Sequence, residues 1–229
     1  MNIAWILLYT LVTHGLEIVI FFKVDGIGIT FERIFKAFLF KILLAFVFLM
    51  IEYMVGYNYL FYFMEPLYGI GLSFLLLRGL PKKLLLFYGL FPMILVNLFH
   101  RGVSYFVLPF LGQGQVYDDY SFAWLCIIIF NFFISLVFLK WLDYDFTNLR
   151  REILDKTFQK SLTKINWIMG TYYLVMQSLS FFEYEQGIQS KTVRHLILVF
   201  YFLFFMGIIK KLDTYLKDKL HERLDQEQA

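Results

Sequence analysis

The chain has 229 residues, of which 60% are hydrophobic and 21% aromatic, while only 17% carry charge, for a formal net charge of +3. One soluble core could not hide so much apolar surface, so an ordinary soluble domain is excluded. A single cysteine, Cys126, excludes an intrachain disulfide framework and a cysteine-based metal centre.

Apolar residues fall in blocks of about 20, the length that crosses a hydrocarbon core roughly 30 Å thick. Seven such runs occur: Ile3–Phe22, Ala37–Met54, Tyr57–Leu77, Leu84–Leu111, Ser121–Leu142, Ile165–Phe182 and Val193–Ile209. Each is expected to be helical, because a backbone in lipid must satisfy its own hydrogen bonds. The first run lacks a basic start and an A-x-A-like exit, so it reads as a retained span rather than a cleaved signal. The fourth is over-long and carries His100 and Arg101, so its far end is expected to tilt or unwind. The fold class expected is therefore all-α: a polytopic transmembrane bundle of seven spans over residues 1–209, followed by a helix beginning at 210–229.

Lys and Arg set the orientation. Seventeen of them flank alternate ends of the runs, from Lys23, Arg33 and Lys36 through Arg78, Lys82 and Lys83 to Lys140, Lys164 and the tail. The opposite side holds only Lys191 and Arg194, and Lys41 and Arg101 lie inside runs. That split predicts an outer N-terminus and a cytoplasmic C-terminus. Between the fifth and sixth runs, Asp143–Lys164 sets Leu149, Ile153, Leu154, Phe158 and Leu162 among basic residues, the pattern of a cytoplasmic helix lying on an anionic leaflet. Beyond the last run, Leu212, Leu216, Leu220 and Leu224 repeat at spacing four, with no Gly or Pro stop signal, as if a longer helix were cut.

His14 and Glu17 stand one helical turn apart and share a face. An H-x-x-E pair can hold a metal, but no further ligands are evident, so an interior hydrogen-bonded pair is expected and no metal. Glu65, His100 and Arg101 are ionisable groups at depth, which pair or line a cavity. A Glu65–Arg101 ion pair and a ligand-contacting role are both open. Asn97 and Asn131 read as bridges between helices. On the outer side, Glu52, Asp118, Asp119, Glu183 and Glu185 outnumber Lys191 and Arg194 and are ringed by Tyr117, Tyr120, Phe122, Phe181, Phe182 and Tyr184. An interfacial aromatic belt explains the rings. The sharper reading is a pocket for a cationic amphipathic ligand, with Asp118, Asp119, Tyr117, Phe182, Glu183 and Glu185 as its candidate binding residues. There is no H-E-x-x-H, G-x-S-x-G or Walker motif and no paired glutamates of an intramembrane protease. Gly69 and Gly71 in "YGIGLS" serve helix packing.

Two stretches, "LFYFMEPLYGIGLSFLLLRG" and "LLLFYGLFPMILVNLFHRGVSYFVL", together with the segment from "TYYLVMQSLSFFEYEQGIQ" to the tail, resemble the membrane sensor region of streptococcal peptide-pheromone receptor histidine kinases of the ComD and BlpH type. The likeness is most specific at Glu65-Pro66-Leu67-Tyr68 and Phe87-Tyr88-Gly89-Leu90. It implies a multi-pass cell-membrane receptor domain of a Gram-positive bacterium, controlling competence or bacteriocin production. It also implies an extracellular peptide ligand, lipid contact, homodimerisation, and a response regulator reached only through a kinase domain absent here. ATP and Mg would belong to that domain, so no cofactor is expected in this chain, and neither is catalysis. Nucleic-acid binding is not expected, since no basic stripe lies away from membrane-flanking loops. The rivals are a small-solute transporter using Glu65, His14 and Glu17, weakened by the lack of repeated halves, and a bacteriocin-immunity protein.

Overall fold

Long apolar stretches with few backbone breakers fold into helices, and the turns fall where glycine, proline or charge interrupts them. The computed structural model describes residues 3–55, 63–107, 122–142, 146–150, 156–186 and 191–228. It contains seven α-helices and, among the described residues, no strand: α1 (Ile3–Asp25), α2 (Phe31–Val55), α3 (Met64–Leu76), α4 (Lys82–Val107), α5 (Phe122–Leu142), α6 (Lys156–Gln186) and α7 (Lys191–Gln228). Each apolar run contributes to one helix; 57–62, 108–111 and Ser121 of the third, fourth and fifth runs lie outside the described residues. Among the described residues, three helical segments are long and apolar enough to cross a membrane: Leu7–Asp25, Phe31–Val55 and Lys82–His100. Met64–Leu76 and Leu125–Trp141 are shorter apolar helices. Through His100 and Arg101, α4 stays helical to Val107 despite Pro92. The last helix runs unbroken for 38 residues, about 57 Å at about 1.5 Å per residue.

The first turn shows how chain chemistry ends a helix. Gly26 takes φ 60°, in the left-handed region open to glycine, and Ile27 N donates to Phe22 O at 2.9 Å to close α1. Thr30 then caps α2, accepting from Arg33 N at 3.4 Å through its hydroxyl.

At the centre lies α4, packed by α1, α3, α5, α6 and α7, whereas α2 leaves Phe35, Ile42, Phe46 and Leu49 exposed on its outer face. α3 and α4 approach closely where Gly69 and Gly89 bring the two backbones together. A Cβ on Gly69 would meet Gly89 O at 2.2 Å, and one on Gly89 would meet Ile70 Cα at 2.5 Å. Small residues at such a crossing allow the close packing that drives association where lipid removes the hydrophobic incentive. Ser73 seals the same contact by donating to Leu85 O at 2.7 Å. Gly71 faces the Phe40 ring of α2, so both glycines of "YGIGLS" are packing positions.

One end of the bundle is knit by polar contacts. Arg150 donates to the backbone oxygen of Asp25 and lies 5.4 Å over the Tyr88 ring. The Tyr88 hydroxyl donates to Phe146 O at 2.6 Å, and Asn166 Nδ2 to Lys83 O at 2.7 Å. These contacts gather the end of α1, the starts of α4 and α6 and the segment after α5, bringing their basic residues to one end. Here the expectation of a leaflet-bound helix over Asp143–Lys164 is corrected for the described residues; 143–145 and 151–155, with Ile153 and Leu154, lie outside them. Phe146–Arg150 is a single 3-10 turn, and Lys156 already begins α6. Phe146, Leu149, Phe158 and Leu162 are buried in the core, because the central helices leave an apolar end for them to cover. Phe91 meets Phe146 at a tilt, with ring centroids 4.7 Å apart, and stacks on Phe205 at 4.8 Å.

Gly69→Ala is expected to destabilise the bundle by about 2 kcal/mol through overpacking against backbone. Gly170→Ala, whose added Cβ meets nothing within 4 Å, serves as the control. Unfolding in detergent followed by circular dichroism checks this; equal stability of the two variants would contradict the crossing.

Candidate polar site inside the helical bundle

The expected His14–Glu17 pair forms, and a third member holds it. His14 Nδ1 lies 3.3 Å from Glu17 Oε2. Lys41, from the middle of α2, points its ammonium between them: Nζ is 2.6 Å from His14 Nδ1 and hydrogen-bonds Glu17 Oε2. The Lys41 side chain is only 5% exposed, so the carboxylate is its counter-charge rather than a solvent-screened neighbour. Below them the ammonium sits 4.9 Å over the Tyr68 ring, a cation–π contact that brings in α3. Tyr68 stacks on Phe40 at 5.9 Å and donates to Ala37 O at 3.3 Å. In the sequence Lys41 stands only as a charge inside an apolar run. Its signal was that very isolation, since a buried ammonium requires a partner.

Glu65 opens the first turn of α3 and meets Asn97 of α4, whose Nδ2 donates to Glu65 Oε2 at 3.4 Å. Asn97 Oδ1 in turn accepts from the Tyr172 hydroxyl of α6 at 2.7 Å. Tyr172 lies edge-on to Tyr201 of α7 at 4.9 Å. A line of polar and ring contacts thus runs from α3 through α4 and α6 to α7.

Between these two clusters lies a cavity of about 240 Å³, lined from α1 by Tyr9, Thr13 and Glu17, from α3 by Glu65, from α4 by Asn97 and His100, and from α5 by Asn131. A water needs only about 10–15 Å³ of such space, so the cavity has room for a small polar group and its hydration. Asn131 is 2% exposed and donates to Val96 O at 3.4 Å, while its Oδ1 is buried without a hydrogen-bond partner among the described residues. Its lining therefore offers two carboxylates, an imidazole and an unused amide oxygen, a set suited to a cationic or hydrogen-bond-donating group. Among the described residues, no three His, Cys, Asp or Glu side chains are grouped to hold a metal ion.

Of the intramembrane residues singled out in the sequence, His14 belongs to the Lys41 cluster, Glu65 and His100 line the cavity, and Glu17 does both. Glu65 is bonded to Asn97; Arg101 follows His100 on α4, with its side chain outside the described residues. Tyr117, Asp118 and Asp119 also lie outside the described residues. Phe182, Glu183 and Glu185 are on the last turns of α6, and their side chains are likewise outside the described set. Asn97, Asn131 and Tyr172 are the less expected members of the cavity and the contact line; the two asparagines read in the sequence only as helix bridges, and Tyr172 carries no polar signal there.

Removing the ammonium with Lys41→Met strands the Glu17 charge, and an expected loss of about 4 kcal/mol follows from breaking a buried pair. Combining it with Glu17→Gln should recover at least about 1 kcal/mol relative to the sum of the single losses. A double-mutant cycle on thermal unfolding measures this, and strict additivity would contradict the pair.

The chain matches no protein-family model, no curated protein and no solved structure. What the site does must therefore be read from its own residues and geometry.

Proposed function

We propose that this chain is the membrane-embedded sensing domain of a two-component signalling receptor, binding a secreted cationic amphipathic peptide outside and relaying that event to a cytoplasmic kinase. In this reading all seven helices span the membrane, with the N-terminus outside and the basic end of the bundle in the cytoplasm. Seventeen basic residues flanking alternate ends against two on the other side support that orientation.

One observation carries the proposal: the contact line from Glu65 through Asn97 and Tyr172 to Tyr201 ends on an unbroken 38-residue helix. A rod of about 57 Å exceeds the roughly 30 Å hydrocarbon core by a wide margin. A shift of α3 or α4 at the cavity, passed through Tyr172 of α6, therefore changes how α7 is held, and a rigid rod transmits that change beyond the bilayer. A peptide that favours one arrangement shifts the population toward it by its difference in affinity for the two. Asp118, Asp119, Glu183 and Glu185 steer it to the outer surface, and Tyr117 and Phe182 bury its apolar face. Homodimerisation through the continued α7 and hand-over to a response regulator complete the scheme. The polar cavity also favours a second reading, a small-solute transporter that uses Glu17 and Glu65 as an intramembrane cation site.

The two readings separate in lipid nanodiscs and proteoliposomes. A receptor binds a cationic amphipathic peptide, and Asp118→Asn with Asp119→Asn slows association and flattens its salt dependence, because exposed charges act over about 8 Å at physiological ionic strength. Phe182→Ala speeds dissociation, about tenfold for a lost aromatic anchor. Tyr172→Phe deletes the hydroxyl donated to Asn97, so peptide affinity is expected to persist while the response of a spin label on α7 to peptide disappears. Absence of peptide binding together with substrate-dependent cation flux would establish the transporter instead.

A further inference from the structure

At the basic end of the bundle, α6 and α7 touch at two aromatic contacts and part between them. Tyr172 meets Tyr201 at 4.9 Å, and Phe158 stacks on Tyr215 at 5.3 Å. Between these contacts lies an open groove of about 520 Å³. Its walls are regular: Ser161, Lys164, Ile165 and Ile168 follow one another up a face of α6, and Leu203, Gly207 and Lys211 recur every four residues along α7. Toward the centre of the bundle the lining is wholly apolar, and toward the basic end it finishes in Lys164, Lys211 and the Ser161 hydroxyl. Leu203 is 65% exposed and Phe200 60% exposed, so the apolar wall is open to whatever surrounds the helices.

We propose that this groove is a binding site for a single anionic phospholipid, with one acyl chain laid between α6 and α7 and the phosphate between Lys164 and Lys211. The charge pattern selects this occupant. A helix from a partner would have to present an anionic end beside a narrow apolar ridge, whereas a phospholipid carries that division in every molecule. Two ammonium groups at one end of an otherwise apolar slot attract a phosphodiester, and Ser161 offers it a hydroxyl donor. Gly207 makes room for the chain: a Cβ built there meets no atom within 4 Å, so the missing side chain leaves open space in the groove wall. The site is independent of the cavity among α1, α3, α4 and α5 and of the peptide reading. Since it grips α7 just before that helix leaves the bundle, its occupant fixes the spacing of α6 and α7.

The test uses the full chain purified in mild detergent and native mass spectrometry, with phosphatidylglycerol and phosphatidylcholine of matched chains as probes. The wild-type chain is expected to retain one phosphatidylglycerol and to prefer it to phosphatidylcholine. Lys164→Gln and Lys211→Gln should each reduce that preference about fivefold, the effect of one basic residue near an anionic surface. Gly207→Leu fills the slot and is expected to remove the retained lipid while thermal stability is maintained. Inorganic phosphate at millimolar concentration should not displace the lipid, because it cannot use the apolar wall. Equal retention of the two lipids, lysine variants with unchanged preference, or displacement by phosphate would each overturn the proposal. If Gly207→Leu proved unstable, the two exposed lysine positions would still decide it. A chain that dimerises with loss of the retained lipid would assign the groove to a second copy, which also overturns it.

Discussion

An ammonium group buried in an apolar bundle must be neutralised where it stands, and this requirement organises the first three helices. Stripping an ion of water costs several kcal/mol even after a protein relaxes around it, so Lys41 is tolerated only beside Glu17 and His14 and above the Tyr68 ring. Those partners come from α1 and α3, and the ion pair therefore fixes α2 against both, although α2 has little other buried surface. From Tyr68 the constraint passes one residue along α3 to Gly69, whose approach to Gly89 fixes α3 on α4. Every remaining helix then packs on α4 or on a helix that does.

The polar groups form a second tier of order. In lipid, apolar side chains face apolar surroundings on every side, so burial alone discriminates weakly between alternative helix arrangements. Hydrogen bonds such as Tyr172 to Asn97 and Ser73 to the Leu85 carbonyl do discriminate, because each wrong arrangement leaves a buried donor or acceptor unmade. The Glu65–Asn97–Tyr172 line is a second instance. It joins α3, α4 and α6, and Tyr172 carries the line on to Tyr201 of α7.

The helices were legible in the sequence because their signal is local: a block of apolar residues with no water to bond the backbone has one low-energy conformation. The His14–Glu17 pair was legible for the same reason, since spacing three on a helix fixes a shared face. Lys41 and Tyr172 were not, because their partners lie 24 to 75 residues away and helical periodicity names a face but not the neighbour that covers it. Periodicity was itself blurred, as lipid-facing and core-facing surfaces of α2 and α5 are both apolar. Asp143–Lys164 misled for a different reason. Leu149, Phe158 and Leu162 among basic residues are the pattern of a membrane-surface helix, yet the same pattern arises where a chain turns back to close the end of a bundle, and here the core took the apolar residues.

The proposed peptide receptor requires the segments that carry Asp118 and Glu185 to face outward and Lys156 to face the cytoplasm. Thiol accessibility measures that directly. After Cys126→Ala removes the native thiol, single cysteines at Asp118, Glu185 and Lys156 are exposed to a membrane-impermeant maleimide on intact cells. Labelling at Asp118 and Glu185 with protection at Lys156 until the cells are permeabilised is the expected result. Labelling of Lys156 from outside would contradict the orientation, and with it the peptide receptor.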